Sequence, residues 1–277
     1  MTCLPDWAHR MTDLHVHAAP SLVPRHGVDT QAVAHERELG FETVVLKSHE
    51  GSTAERAFLA GDNVYGGIVL NSTAGGANPD AVEVAARLGG RIVWMPTVSA
   101  SNHIAHHQAS ELAVHRDFTL RLVEVVDDGR LLPDWYEVID VVARYDLVLA
   151  SGHLTIGETL ILFAEARRRG VTRLMVNHPL MPFIGWVSGC VDELRRLEAT
   201  LELGILPDIL SRPAPSSITL ADSYPAGLLV FGGDLGHAHY PQPKEVLPEW
   251  LHDLESHVGA RAAARIMVTN GRELLLR

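Results

Sequence analysis

The chain has 277 residues, 47% of them apolar, and a formal net charge of −11 at neutral pH. That length suits one α/β barrel of roughly 250 residues better than two small domains, so residues 1–277 are read as a single domain. The apolar content excludes a disordered chain, the acidic balance argues against nucleic-acid and anionic-membrane partners, and no apolar run is long enough to span a bilayer.

Residues 1–6 lack a basic region followed by an apolar core, so no signal peptide is expected. Cys3 and Cys190 are too few for a disulfide framework, which makes a reducing cytoplasm the expected compartment.

The first element is Met11-Thr12-Asp13-Leu14-His15-Val16-His17, a short buried strand ending in two histidines. Side chains two apart on a strand share a face, so His15 and His17 project together. A loop with Pro20, Pro24 and Arg25 follows. Asp29 or Thr30 is expected to cap a helix running to 39, with Gly40 ending it. The β-branched run at 41–47 predicts a second strand, closing on Lys47 and His49. A helix from Ser52 or Thr53 leads to a third strand at 64–70 and a glycine-containing loop at 71–78. Pro79 then opens a helix to 88, and a fourth strand spans 91–95.

Residues 97–132 break the regularity. A long loop is expected to carry Asn102, His103, His106 and His107, followed by an extra strand at 120–126 and a turn at 127–129. His106, His107 and His115 read as helix or loop surface. Pro133 opens a helix to 145. A fifth strand at 147–150 ends in Ser151-Gly152-His153, and Thr155 with Glu158 forms a capping box for the next helix. A sixth strand at 173–176 ends in Asn177-His178-Pro179. After a helical stretch at 188–199 come a seventh strand at 201–205 and an eighth at 228–231 before Gly232-Gly233-Asp234. Helices near 243–257 and 259–275 close the chain. Short apolar strands alternating with helices predict parallel strands buried on both faces, hence a (β/α)8 TIM barrel with an insertion after strand four and C-terminal helices.

In such a barrel the C-terminal strand ends surround one cavity. His15, His17, His153, His178 and Asp234 all fall there and are metal-ligand types. This pattern resembles the amidohydrolase superfamily: H-x-H on the first strand, one histidine after the fifth, one after the sixth and an aspartate after the eighth. Thr269-Asn270-Gly271-Arg272-Glu273-Leu274-Leu275 is likewise similar to that family's closing Asn-Pro-x-x-Leu-Leu segment. The resemblance covers nearly the whole chain. It implies one or two divalent ions (zinc, manganese or iron) on those residues, with Asp234 shuttling the proton.

The pattern departs from the family at strand four. Residues 91–97 offer no lysine, glutamate or cysteine to bridge two ions. Lys47 on strand two is the replacement candidate, making this an unusual branch. The apolar run before it would desolvate the amine and disfavour the ammonium form; a neutral amine can take up carbon dioxide as a carbamate. The other reading of Lys47 is a cation that binds a substrate anion. His49 could ligate metal or contact substrate, Arg25 could grip a carboxylate or polarised carbonyl with its planar fork, and Asn102 and His103 could line the pocket. Ala74-Gly75-Gly76-Ala77 is not followed by G-K-[ST], and Ser151-Gly152-His153 is not G-x-S-x-G.

The expected activity is hydrolysis of an amide, cyclic amide, ester or lactone of a small metabolite by a metal-activated hydroxide, with Asp234 as acid–base group. Two alternatives remain open. One is a phosphoesterase of the polymerase and histidinol phosphatase type, whose late Asp-x-His is off by one in Asp234-Leu235-Gly236-His237. The other is a metal-dependent decarboxylase or lyase on the same scaffold. The expected partner is a small-molecule substrate, with self-association left open.

Overall fold

The computed structural model describes residues 4–109, 120–210 and 216–276; Cys3 and His115 lie outside the described residues. Among the described residues there are eleven strands: β1 (Met11–His17), β2 (Phe41–Lys47), β3 (Val64–Tyr65), β4 (Gly67–Val69), β5 (Ile92–Trp94), β6 (Val126–Asp127), β7 (Arg130–Leu131), β8 (Val148–Ala150), β9 (Arg173–Val176), β10 (Thr200–Leu203) and β11 (Leu229–Phe231). All pair in parallel except the β6–β7 hairpin. Helices alternate with the parallel strands, as the sequence pattern predicts.

The expected single closed ladder is replaced by two sheets, β1-β2-β3 and β11-β10-β9-β8-β5-β4. The third expected strand breaks at Gly66 because Thr53 captures the backbone there. Its Oγ1 accepts from Gly67 N at 3.0 Å and donates to Leu46 O at 2.7 Å, while Thr53 N donates to Gly67 O at 2.9 Å. The other junction, between β1 and β11, is a single bridge, Val16 to Leu235. Two hydrogen bonds support it: Asp234 N donates to His15 O at 2.8 Å, and His17 N to Leu235 O at 3.0 Å.

The strands bury both faces. Leu14, Val45, Val69, Trp94, Ala150, Met175 and Val230 form one cluster inside the curve of the sheets. The opposite faces, with Val16, Val44, Leu46, Val93, Leu149 and Leu201 among them, pack against the helices. The ladder between β1 and β2 is irregular: Asp13 sits opposite Val44 and Val16 opposite Leu46, so three residues of β1 match two of β2. This bulge turns His15 to the same side as Leu14 and leaves its N–H without a ladder partner. Asp13 Oδ1 accepts that N–H at 2.8 Å.

Several expected boundaries shift. Val28, not Asp29 or Thr30, is the N-cap of helix Asp29–Glu38; its N–H donates to Gln31 Oε1 at 3.0 Å, which orders the turn one residue earlier. Asn102, His103, His106 and His107 stand on helix Ser101–Ala109 rather than a loop. Residues 120–125 are not a strand. Pairing begins at Val126 and turns through Asp128 (φ 44°) and Gly129 (φ 70°), the doubly left-handed geometry of a tight hairpin. The last expected helix is three pieces, Ala260–Ala264, a π-helical turn Arg265–Asn270 and Gly271–Leu276. Asn270 Nδ2 explains the widened turn, since it reaches the carbonyls of Leu229 (2.6 Å) and Ala226 (2.7 Å) below β11. No described helix is long and apolar enough to cross a membrane.

Candidate metal centre and cavity

The bulged end of β1 brings His15 and His17 against Asp234, which follows β11. His15 Nε2 lies 3.0 Å and His17 Nε2 3.1 Å from Asp234 Oδ1. These three donors sit within 4.8 Å of one another. Asp13 Oδ1 also accepts from Gly233 N at 3.0 Å, so one carboxylate ties the histidine strand to the aspartate turn. Asp234 (φ 55°) and His178 (φ 27°) both hold left-handed backbone, a conformation costing about 1–3 kcal/mol for such residues and concentrated at functional sites.

Glu202, in β10, was not singled out from the sequence. It is fully buried, and its Oε1 lies 2.7 Å from His15 Nδ1 while Asn177 Nδ2 donates to Oε2 at 2.5 Å. Asn177 Oδ1 accepts from Gly152 N at 3.0 Å, linking the turns that carry His178 and His153. A carboxylate on Nδ1 fixes the imidazole tautomer and frees Nε2 for an ion. A signal existed in the sequence: a lone acid between two leucines, Leu201-Glu202-Leu203, in an otherwise apolar strand.

His178 and His153 lie on the same side, with ring centroids 5.9 Å from His15 to His178 and 5.0 Å from His178 to His153. Gly152 (φ 58°) is required before His153, because a Cβ there would strike Met95 O. His49 stacks on His17 at 4.9 Å and its Nδ1 lies 2.9 Å from Thr97 Oγ1. His103 Nδ1 is 2.7 Å from His153 Nδ1. Lys47 is buried beneath, Nζ 3.0 Å from His15 Nε2.

A small cavity of about 60 Å³ opens above these groups. His17, His49, His103, His153, His178 and Asp234 line it, together with Arg25, His237, Met181, Phe183, Leu206 and Leu210. Asn102 takes another place: its Nδ2 donates at 2.6 Å to the carbonyls of both His153 and Phe183, stapling the helix over the site instead of lining the cavity.

Burial governs the electrostatics. It drives His17 and His153 well below the ordinary histidine value and His178 to about 4, keeping these imidazoles neutral and able to ligate. It lowers Lys47 to about 8 and Arg25 to about 10. Burial opposes charge at His15 as well, but Asp234 and Glu202 outweigh it and raise His15 to about 9. Burial likewise pushes Asp234 up, yet His15 and His17 hold it well below the carboxylate range. The surroundings of His15 Nε2 therefore favour positive charge. Two imidazole nitrogens converging on a carboxylate oxygen, in a pocket that stabilises a cation, fit a divalent ion that would take the place of the proton on His15. Nδ1 of His178 is buried without a hydrogen-bond partner among the described residues.

The fold and site together define a parallel α/β protein with the architecture of amidohydrolase-superfamily structures. The structure of a probable 2-pyrone-4,6-dicarboxylic acid hydrolase from Acinetobacter baumannii, holding citric acid, is 14% identical with a TM-score of 0.63, covering 96% of this chain and 99% of that one. A dihydroxybenzoic acid decarboxylase from a Polaromonas species, holding manganese and 2-nitroresorcinol, is 12% identical with a TM-score of 0.56, covering 96% and 97%. A TatD homologue from Escherichia coli is 12% identical with a TM-score of 0.57, covering 96% and 97%. No curated protein matches the chain. The chain belongs to the family described as a family of unknown function, DUF6282, whose model matches residues 10–202.

Proposed function

We propose that this protein is a metal-dependent hydrolase acting on a small, carboxylate-bearing metabolite, built on a (β/α)8 barrel of which the two sheets are arcs. The observation that carries the reading is the convergence of His15 Nε2, His17 Nε2 and Asp234 Oδ1. These would hold one divalent ion, zinc, manganese or iron, with His153 and His178 available to a second. A bound ion of this kind supplies Lewis acidity and lowers the pKa of its water toward 7.

The protein groups divide the remaining work. Glu202 holds the His15 tautomer. Asp234, kept ionised by the two histidines, takes a proton from the attacking water at its carboxylate and returns it to the leaving group. Arg25 grips a substrate carboxylate with its fork while Met181, Phe183 and Leu206 cover the apolar part and exclude water. His49 and His103 complete the substrate wall. Lys47, drawn to about 8 by burial, has a populated neutral amine at neutral pH; nitrogen attack on carbon dioxide with loss of one proton gives a carbamate that would bridge two ions. The bond cleaved is an amide, cyclic amide, ester or lactone.

Decarboxylation is the second reading. An arginine and a phenylalanine lining one cavity suit an aromatic carboxylate equally well, and decarboxylases share the fold. Elemental analysis of the purified protein, followed by assay against lactones, cyclic amides, acyl amino acids, phenolic carboxylates and phosphoesters, tests the proposal. Metal with turnover of the first three supports hydrolysis. Release of carbon dioxide supports the second reading, phosphoester turnover supports neither, and active protein without transition metal rejects both.

A further inference from the structure

At the opposite end of the strands lies a feature unrelated to the histidine site. Arg261, Arg265 and Arg272 fall one on each piece of the C-terminal helical run, Ala260–Ala264, the π-helical turn Arg265–Asn270 and Gly271–Leu276. With Arg10, His9 and Trp7 they line a groove of about 440 Å³. Arg10 immediately precedes β1, so the groove sits at the strands' N-terminal ends, about 20 Å from His17 at 3.3 Å per strand residue.

The charge balance there is unusual. In a chain with net charge −11, several arginines elsewhere find acids: Arg56 pairs with Asp29 at 2.7 Å, Arg169 with Asp140 at 2.7 Å, and Arg196 with Glu193 at 2.7 Å. Arg10 pairs with Glu42 at 2.6 Å. Among the described residues, Arg261, Arg265 and Arg272 form no close ion pair, although the charge of Arg272 acts on Glu42 beside Arg10, and no carboxylate lines the groove itself. Four guanidinium groups against the carboxylate of Glu42 leave a net positive rim that attracts an anion. The floor is Trp7, Ala264 and Val268, an apolar base beneath a cationic rim. The volume falls within the range of ligand pockets, and planar guanidinium forks suit phosphate oxygens bidentately.

We propose that this groove binds a small phosphate-rich anion, with Arg261, Arg265 and Arg272 gripping its oxygens and Trp7 offering a face to any aromatic part. The inference does not depend on the hydrolase reading, and its test needs no turnover.

Calorimetric titration of the full chain at low ionic strength, first with tripolyphosphate and then with ATP, decides the matter. Saturable binding of tripolyphosphate that weakens as salt rises is expected. The double exchange Arg265→Glu and Arg272→Glu should weaken it by about a hundredfold or more, some tenfold per lost charge-assisted pair. The control exchange Arg196→Ala should leave it unchanged. Tighter binding of ATP assigns the site to nucleotides; equal binding assigns it to the polyphosphate alone. Absence of saturable binding by the wild-type chain would overturn the proposal, as would affinity unchanged in the double variant. So would capture of single-stranded RNA without tripolyphosphate binding.

Discussion

Glu202 Oε1 stands 2.7 Å from His15 Nδ1, with both side chains buried. The pair sets which imidazole nitrogen carries the proton and aims Nε2 at Asp234. Glu202→Gln keeps the shape but removes the charge, and its amide can present the wrong group to Nδ1. Metal affinity should fall by about 10- to 100-fold, the usual cost of losing such a partner. Competition with a chromogenic chelator measures it; wild-type affinity in the variant would remove Glu202 from the site.

Asp234→Asn should separate binding from chemistry. The amide oxygen still offers a donor, but the group can no longer accept a proton. Turnover should drop about 10²-fold or more while much of the metal remains. His15→Ala is the contrasting case, losing the metal with little loss of fold, since the residue sits at a strand end. Elemental analysis beside steady-state rates distinguishes the two, and an unimpaired Asp234→Asn enzyme would exclude the aspartate from the mechanism.

Lys47→Ala tests the bridge. Two dications within about 3.5–4 Å need an anion between them. If Lys47 supplies it as a carbamate, the variant should bind one ion fewer and lose most activity. Bicarbonate or short carboxylic acids added to the buffer should restore part of both. Full metal content in Lys47→Ala would leave the lysine as a cation for substrate.

Glu36 provides a pH test away from the chemistry. Its side chain is buried, and burial, reinforced by Asp13, raises its pKa well above the ordinary value. Asp13 is raised to about 7 by the same cause. A carboxyl whose folded pKa exceeds its unfolded one binds more protons when folded, so stability falls as pH rises from the unfolded value through the folded one. Glu36→Gln removes that cost. Its melting temperature should exceed wild type by about 2 °C or more at pH 8 and match it at pH 4, where the carboxyl is protonated in both states. A gain independent of pH would show that ionisation is not its origin.

The strand-end residues His15, His17, His153, His178 and Asp234 were legible in the chain because each closes a short apolar run, and the alternation of strands with helices places such closures at one mouth. Glu202 was not. An acid between leucines reads as an outward-facing strand residue until β10 packs beside β9, and its partner His15 is 187 positions away. The bulge in β1 is a second case. Strict alternation from Leu14, which faces the inside of the sheets, would send His15 outward. The register shift against β2 turns it inward, and it holds because Asp13 Oδ1 takes up the orphaned N–H together with that of Gly233, 220 positions on. Local periodicity determines which residues reach the strand ends. Which face they present, and which buried carboxylate meets them, depends on hydrogen bonds formed only when distant strands are brought together.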